Sequence, residues 1–425
     1  MIIRIKKSSV NRVFEIIIFS FLINPLIYNS RADIQRYMHY IFLVGYMLLN
    51  SKELFNLINT FVNRLSLSVL GLLVWLLWAV LVPFVNGTSE FSFLYTIWYG
   101  VSSLIYILPI AIFITKKVKT KEVLEEFCYI YSCAMALYVI ASIIIIIVPG
   151  LREFMIDYFV INDRDRFLLT YKQYYTRIGW SGIAAYGTAL KTVTAFAFSM
   201  YLLFINSSNR KKTIKLGVVS GLLLLGNILY ARTGMLACLG IISIYVLNLA
   251  KYRNKLKEVL KICAIGLLVI AVLIYVIYTY RDNAAIGWMF EAVYNFLEKG
   301  VFTSGSTEHL TTKMLFMPSW ETLLTGDGMY TYNGAYYMLT DLGFMRLTLY
   351  GGVFFCAYIY IWMIFLLKKI GDKNKKHKLL GYNLLLMFIV FEIKGESTIT
   401  LIPLFILLIV LVYVNLNRGI GATNE

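Results

Sequence analysis

The sequence predicts an all-α polytopic membrane protein with about twelve transmembrane helices, and three observations carry that prediction. Hydrophobic residues make up 60% of the 425-residue chain and charged residues only 15%, whereas soluble domains carry about 25% charged residues. Mean hydropathy is +0.73. Apolar runs of roughly the 20 residues needed to cross a bilayer recur from Val13 to Asn415, interrupted by only two sizeable polar intervals. A single integral-membrane domain over residues 1–425 is therefore expected.

In order, the expected spans cover residues 13–29, 37–50, 65–85, 93–115, 124–148, 187–205, 214–231, 233–249, 259–279, 342–367, 379–393 and 399–416. The first follows a basic start, MIIRIKKSSVNR, and no small-residue cleavage site succeeds its apolar stretch, so it reads as an uncleaved span. The second is short and contains Gly45. The basic start places the N-terminus in the cytoplasm, and an even number of spans returns the C-terminus to the same side. The inner loops then hold KKVKTK (116–121), NRKKTIK (209–215), KYRNKLKEVLK (251–261) and KKIGDKNKKHK (368–378). This is the positive-inside asymmetry, and it accounts for the net charge of +17 without a nucleic-acid partner, for which no aromatic-studded basic face exists. The five cysteines, Cys128, Cys133, Cys238, Cys263 and Cys356, lie inside apolar runs. Their odd number and spacing define neither a disulfide framework nor a metal site.

Lysine dominates the inner loops, but arginine leads outside: Arg31, Arg36, Arg152, Arg164, Arg166, Arg177, Arg232, Arg281 and Arg346. Lysine is a hydrated point charge, while the planar guanidinium suits bidentate phosphate recognition. Pairing with Asp163, Asp165, Asp282 and similar neighbours accounts for part of the outer set.

Two external loops follow from this topology, a medium one at 149–186 and a large one at 280–341. In the medium loop Asp163-Arg164-Asp165 has a spacing that can hold a divalent cation. Each carboxylate has an adjacent arginine, however, and hard cations need several unopposed oxygens, so a self-neutralised loop without metal is expected. Between the loops, Tyr230-Ala231-Arg232-Thr233-Gly234 turns one span straight into the next and leaves Arg232 at the membrane boundary. A charge there costs a few kcal/mol unless it snorkels or finds a partner, and either snorkelling or an anion supplied by a ligand meets that need.

The large loop offers a helical stretch from Trp288 to Leu297, then SGSTEHL, where Thr307 could cap a helix running through Met317 to Pro318. Gly326-Asp327-Gly328 reads as a tight turn. Asp341 precedes an apolar helix that carries Arg346 about one and a half turns in. Tyr330, Tyr332, Tyr336, Tyr337, Trp288 and Trp320 suit stacking on sugars and an interfacial belt equally well. Glu392 and Glu396 flank Lys394 and read first as a local charge cluster at a helix end and second as a catalytic carboxylate.

The span pattern, the short-turn arginine in YARTG, the SGSTEHL segment, the LLTGDGMY turn and TDLGFMRLTLYGG together resemble the O-antigen polymerases, the Wzy family, and more distantly the O-antigen ligases. The resemblance implies a GT-C-like glycosyltransferase of the bacterial inner membrane, active on the periplasmic face. It implies inverting, metal-independent transfer without a cofactor, moving a glycan from undecaprenyl diphosphate to the non-reducing end of another lipid-linked repeat unit. The product would be an O-antigen of lipopolysaccharide or a capsule, and a Wzz-like chain-length regulator would be a partner besides membrane lipids. Two departures stand out. The arginine-x10-glycine pattern of some members fails at Arg177, where Gly187 comes one residue early, and Thr340-Asp341 replaces the ligases' His-Asn pair.

The residue types fit that chemistry in their own right. Breaking a sugar-diphosphate bond releases a multiply charged leaving group, which guanidiniums stabilise as its charge develops; Arg177, Arg232 and Arg346 are the expected diphosphate-binding residues. The acceptor hydroxyl needs a base within hydrogen-bond reach, for which Asp341 is the first choice and His309 or Glu308 the second. A ligase would share this chemistry and differ in acceptor. A flippase or other transporter would be expected to show internal repeats and mid-span charges, and the sequence has neither.

Overall fold

The computed structural model describes residues 7–64, 66–118, 122–250, 275, 278–372 and 375–421. It is a helical membrane protein. Among the described residues eight helices are long and apolar enough to cross a bilayer: Ser66–Val85, Ser92–Lys117, Val123–Ile147, Tyr186–Ile205, Arg210–Tyr230, Arg232–Ala250, Gly343–Gly371 and Thr398–Leu416. Each coincides with an expected span. The short second span instead forms part of a helix pair, Asn29–Leu49 and Ser51–Arg64, bent by 86°. Counting that pair as one broken span brings the number to nine. The expected spans at 13–29 and 379–393 are helices of 17 residues each, Lys7–Ile23 and Lys378–Lys394. The expected span at 259–279 lies largely outside the described residues.

Large apolar side chains stay exposed along the spans, as on Ser66–Val85, where Leu70, Leu73, Leu77 and Leu81 face outward. In water such a surface would be costly at about 25 cal/mol per Å²; against hydrocarbon it is neutral.

The chain divides into two compact units, residues 1–39 with 128–304, and residues 40–127 with 305–425. In the first, the helices Tyr186–Ile205, Arg210–Tyr230 and Arg232–Ala250 pack on one another. Small contacts permit this: a Cβ on Gly226 would collide with Val139, and one on Gly234 with the Asn227 side chain. Buried hydroxyls inside the unit bond to backbone, with Ser132 Oγ donating to the Ala195 carbonyl at 2.9 Å and Ser20 Oγ to the Ala134 carbonyl at 2.7 Å.

The second unit is organised around the Gly343–Asp372 helix, which packs on Ser66–Val85, Lys378–Lys394, Thr398–Gly421 and the short helix Trp320–Thr325. This long helix is broken at Gly352, whose φ of 82° and ψ of 173° are accessible essentially to glycine alone. A break removes the amide donors that the preceding turn's carbonyls would use. The turn at Gly326-Asp327-Gly328 supplies them instead, with Asp327 N donating to the Leu349 carbonyl at 2.7 Å and Gly328 N to the Tyr350 carbonyl at 3.0 Å. Backbone fits so closely here that a Cβ on Gly326 would strike the Tyr350 carbonyl and one on Gly352 the Leu324 carbonyl. The LLTGDGMY turn and the LYGG sequence are thus two halves of one joint.

Two local expectations are corrected. The segment after Ser304 starts its helix at Gly305, continues as a wide turn from Leu310 to Met314 and ends there, short of Pro318. Arg346 lies in the first turn of its helix, which begins only at Gly343.

Gly352→Ala forces a forbidden backbone region and a backbone collision together, so it should destabilise the protein by about 2–3 kcal/mol. Thermal unfolding in detergent reads this, and an unchanged midpoint would show that the joint is not under that constraint.

Candidate functional site

In the first unit, three elements bring Arg177 and Arg232 to one aromatic ring. Arg177 enters a small hairpin in which Ile178 pairs with Ile183 and Gly179 with Gly182. The hairpin is tied down from several sides: Trp180 Nε1 donates to the Asn24 carbonyl at 2.8 Å, Ser181 and Tyr138 share a hydroxyl contact at 2.8 Å, and Thr176 Oγ1 donates to the Leu229 carbonyl at 3.0 Å. That last bond sets Arg177 beside the end of the Arg210–Tyr230 helix. There the chain turns through a single extended residue, Ala231, and Arg232 opens the next helix. Trp288 comes from the short helix Ala284–Met289, capped by the Asn283 side chain on the Ala285 and Ile286 amides. The Arg177 guanidinium stands 4.2 Å from the Trp288 ring centroid and that of Arg232 stands 4.5 Å from it.

The two guanidiniums of this cluster differ in their surroundings. Arg232 is paired with Glu291, 2.7 Å away, which answers the need for a partner with a carboxylate 59 residues further along the chain. Arg177 has a buried Nε with no acceptor and rests on the Tyr174 and Trp288 rings. Burial pushes its pKa down to about 10; Arg232 adds to the shift and Tyr174 opposes it. The group stays charged at neutral pH. The Glu291 carboxylate meets Arg232 at the positive end of the Arg232–Ala250 helix.

The second unit places Arg346 in a cage of its own. Its guanidinium carbon is 4.0 Å from the Tyr330 ring centroid and 3.7 Å from that of Tyr336. Both rings ride on a hairpin with Thr331 opposite Tyr336 and Tyr332 opposite Ala335. Its two-residue loop is Asn333-Gly334, both at positive φ, the turn whose twist suits paired strands. Glu90 anchors the hairpin by accepting from the Tyr330 amide at 3.0 Å and from Thr331 Oγ1 at 2.9 Å. Arg346 is 7% exposed, and its Nε finds no acceptor. Desolvating a cation costs several kcal/mol, whereas each ring returns about 2 kcal/mol at best. The rings alone do not balance that cost.

No family model, curated protein or solved structure matches this chain.

The remaining expected residues fall as follows. Asp341 is half-buried, two residues before the Gly343–Asp372 helix. Glu308 and His309 are exposed on the five-residue helix Gly305–His309, and among the described residues no hydrogen bond or ion pair joins either side chain to Arg346. Asp163 and Asp165 lie in the first turn of Asp163–Thr170, with Asp163 3.8 Å from Arg166. Of the aromatic candidates, Trp288, Tyr330 and Tyr336 hold guanidiniums, while Trp320 and Tyr332 are exposed.

Sequence reasoning missed Glu90, Glu291 and the hairpin that carries Tyr330 and Tyr336. Asn-Gly between YTY and AYY was the available signal for the hairpin; Glu90 and Glu291 reach their partners only through the tertiary fold.

The Arg232–Glu291 pair is partly buried, so a double-mutant cycle with Arg232→Ala and Glu291→Ala should give a coupling of about 1 kcal/mol. Chemical denaturation in micelles measures it, and strictly additive single mutants would show that the pair is not maintained.

Proposed function

We propose that this chain is an inverting, metal-independent glycosyltransferase that polymerises lipid-diphosphate-linked oligosaccharide repeat units, as its resemblance to the O-antigen polymerases implies. The observation that carries the reading is the pair of guanidiniums on Trp288, one with a buried and unpartnered Nε. Such an arrangement suits a ligand with two adjacent anionic groups at a membrane boundary, and undecaprenyl diphosphate has that form.

In this reading Arg177 and Arg232 take the diphosphate and stabilise the charge that develops as the sugar C1–oxygen bond breaks. Planar guanidiniums engage phosphate oxygens in a bidentate fashion, which an ammonium cannot do. Arg346 supplies a further cation within the second unit. The cluster faces the periplasm in the topology that the lysine-rich inner loops imply, and the helices form a GT-C-like scaffold. A Wzz-like chain-length regulator would act on the product.

Arg177→Ala and Arg232→Ala should each lower transfer by about 100-fold or more, abolishing long-chain polysaccharide in cells while the protein still reaches the membrane. Arg232→Lys should rescue poorly. Normal chain ladders from both alanine variants would overturn the assignment.

A further inference from the structure

At the end of the Gly343–Asp372 helix opposite to Arg346, a groove of about 290 Å³ runs between this helix and Lys378–Lys394. Ile364 and Leu367 line it on one helix, Tyr382 and Leu385 on the other. Gly371 and Gly381 also border it and add no side chain to fill it. They let the helices close up at this end: a Cβ on Gly371 would stand 3.1 Å from Lys378 Cα, and one on Gly381 3.1 Å from the Leu367 carbonyl oxygen. Ile364 is 48% and Tyr382 54% exposed, so the groove opens outward from the helix pair, on a face that meets hydrocarbon where Gly343–Gly371 spans the bilayer.

Lys368 and Lys378 complete the lining. Both are exposed. Among the described residues neither is hydrogen-bonded or ion-paired, and no acid lines the groove. Lys369 differs from them: its ammonium lies over the Phe365 ring of the same helix, 5.1 Å from the centroid. Lys378 opens its helix and Lys368 precedes Gly371 by about one turn, so both belong to the end where the two helices join. Ile364 lies about one turn deeper than Lys368, and Leu385 about two turns deeper than Lys378. The groove is therefore cationic toward the joined end and apolar along the rest.

We infer that this groove binds an anionic phospholipid of the cytoplasmic leaflet. One acyl chain lies against Ile364, Leu367 and Leu385, and Lys368 and Lys378 hold the phosphate. The joined end carries KKIGDKNKKHK (368–378), an inner loop in the topology that the basic residues imply. The leaflet on that side is the anionic one, and basic pockets between spans recognise its headgroups. The site stands apart from the glycosyl-transfer reading and does not depend on it.

Charge complementarity selects this occupant. A zwitterionic lipid offers the same chains, but its own ammonium opposes the two lysines. A peptide would bring backbone amides and carbonyls against apolar walls at a depth where no water satisfies them. Lysine also suits a mobile headgroup, because a compact ammonium on a flexible stem follows the phosphate while the stem extends the apolar wall along the chain.

The test titrates the purified full-length protein in micelles separately with dioleoyl phosphatidylglycerol and dioleoyl phosphatidylcholine, and native mass spectrometry reads the lipid bound. The wild type should bind phosphatidylglycerol at least about tenfold more tightly than phosphatidylcholine. Lys368→Gln/Lys378→Gln should lose that preference; both side chains are exposed, so the helix packing is left intact. Lys369→Gln/Lys376→Gln removes the same charge from the same loop without touching the groove lining and should keep the preference. Ile364→Trp fills the groove and should weaken binding of both lipids several-fold. No preference in the wild type, or an equal loss in the two double variants, overturns the assignment, the second result showing attraction to diffuse surface charge. A lipid-free dimer that Ile364→Trp dissociates would give the groove to a second copy of the chain and overturn it as well.

Discussion

Cations held by aromatic rings are the constraint to which both units answer. Arg177 and Arg232 rest on Trp288, and Arg346 lies between Tyr330 and Tyr336. A guanidinium removed from water loses more than a ring gives back. A purely structural arginine would be expected to close the gap with a carboxylate, as Arg232 does in part with Glu291. Arg177 and Arg346 instead keep a buried Nε without a partner. Rings orient such a cation without neutralising it, which leaves its charge for a visiting anion.

Holding a cation between two rings requires a stiff frame, and in the second unit glycines provide it. The break at Gly352 exposes carbonyls that the Gly326-Asp327-Gly328 turn fills. That turn leads directly into Tyr330, and the broken helix begins with the turn that carries Arg346. The joint therefore fixes the cation and one of its rings by backbone hydrogen bonds, each worth about 1 kcal/mol net but costly to leave unmade. In the first unit the same task falls to the Trp180 and Thr176 bonds of the Arg177 hairpin.

Much of the fold was legible in the sequence because a bilayer imposes a simple rule: about 20 apolar residues make a span. The rule located eight of the described helices. It gave no warning of the 86° bend after Leu49, since a bent pair and a straight span have the same apolar content. At the candidate site, the arginine-lysine contrast singled out Arg177, Arg232 and Arg346, because guanidinium chemistry is written in residue type. Their partners were not legible. Glu291 is unremarkable as a letter, and it is proximity in the folded chain that makes it the partner of Arg232. Glu308 and His309 stood out for the opposite reason: chemically versatile residues in a polar loop draw attention wherever the fold leaves them, here in solvent.

The most direct test of the ring-held cations is the affinity of undecaprenyl diphosphate for the protein in lipid nanodiscs, measured for the wild type and for the Arg177→Ala/Arg232→Ala double variant. A charge-assisted hydrogen bond is worth about 1.5–3 kcal/mol, so the account expects saturable binding by the wild type and at least about tenfold weaker binding by the variant. Equal affinity in the two proteins, or no binding to the wild type, would contradict it.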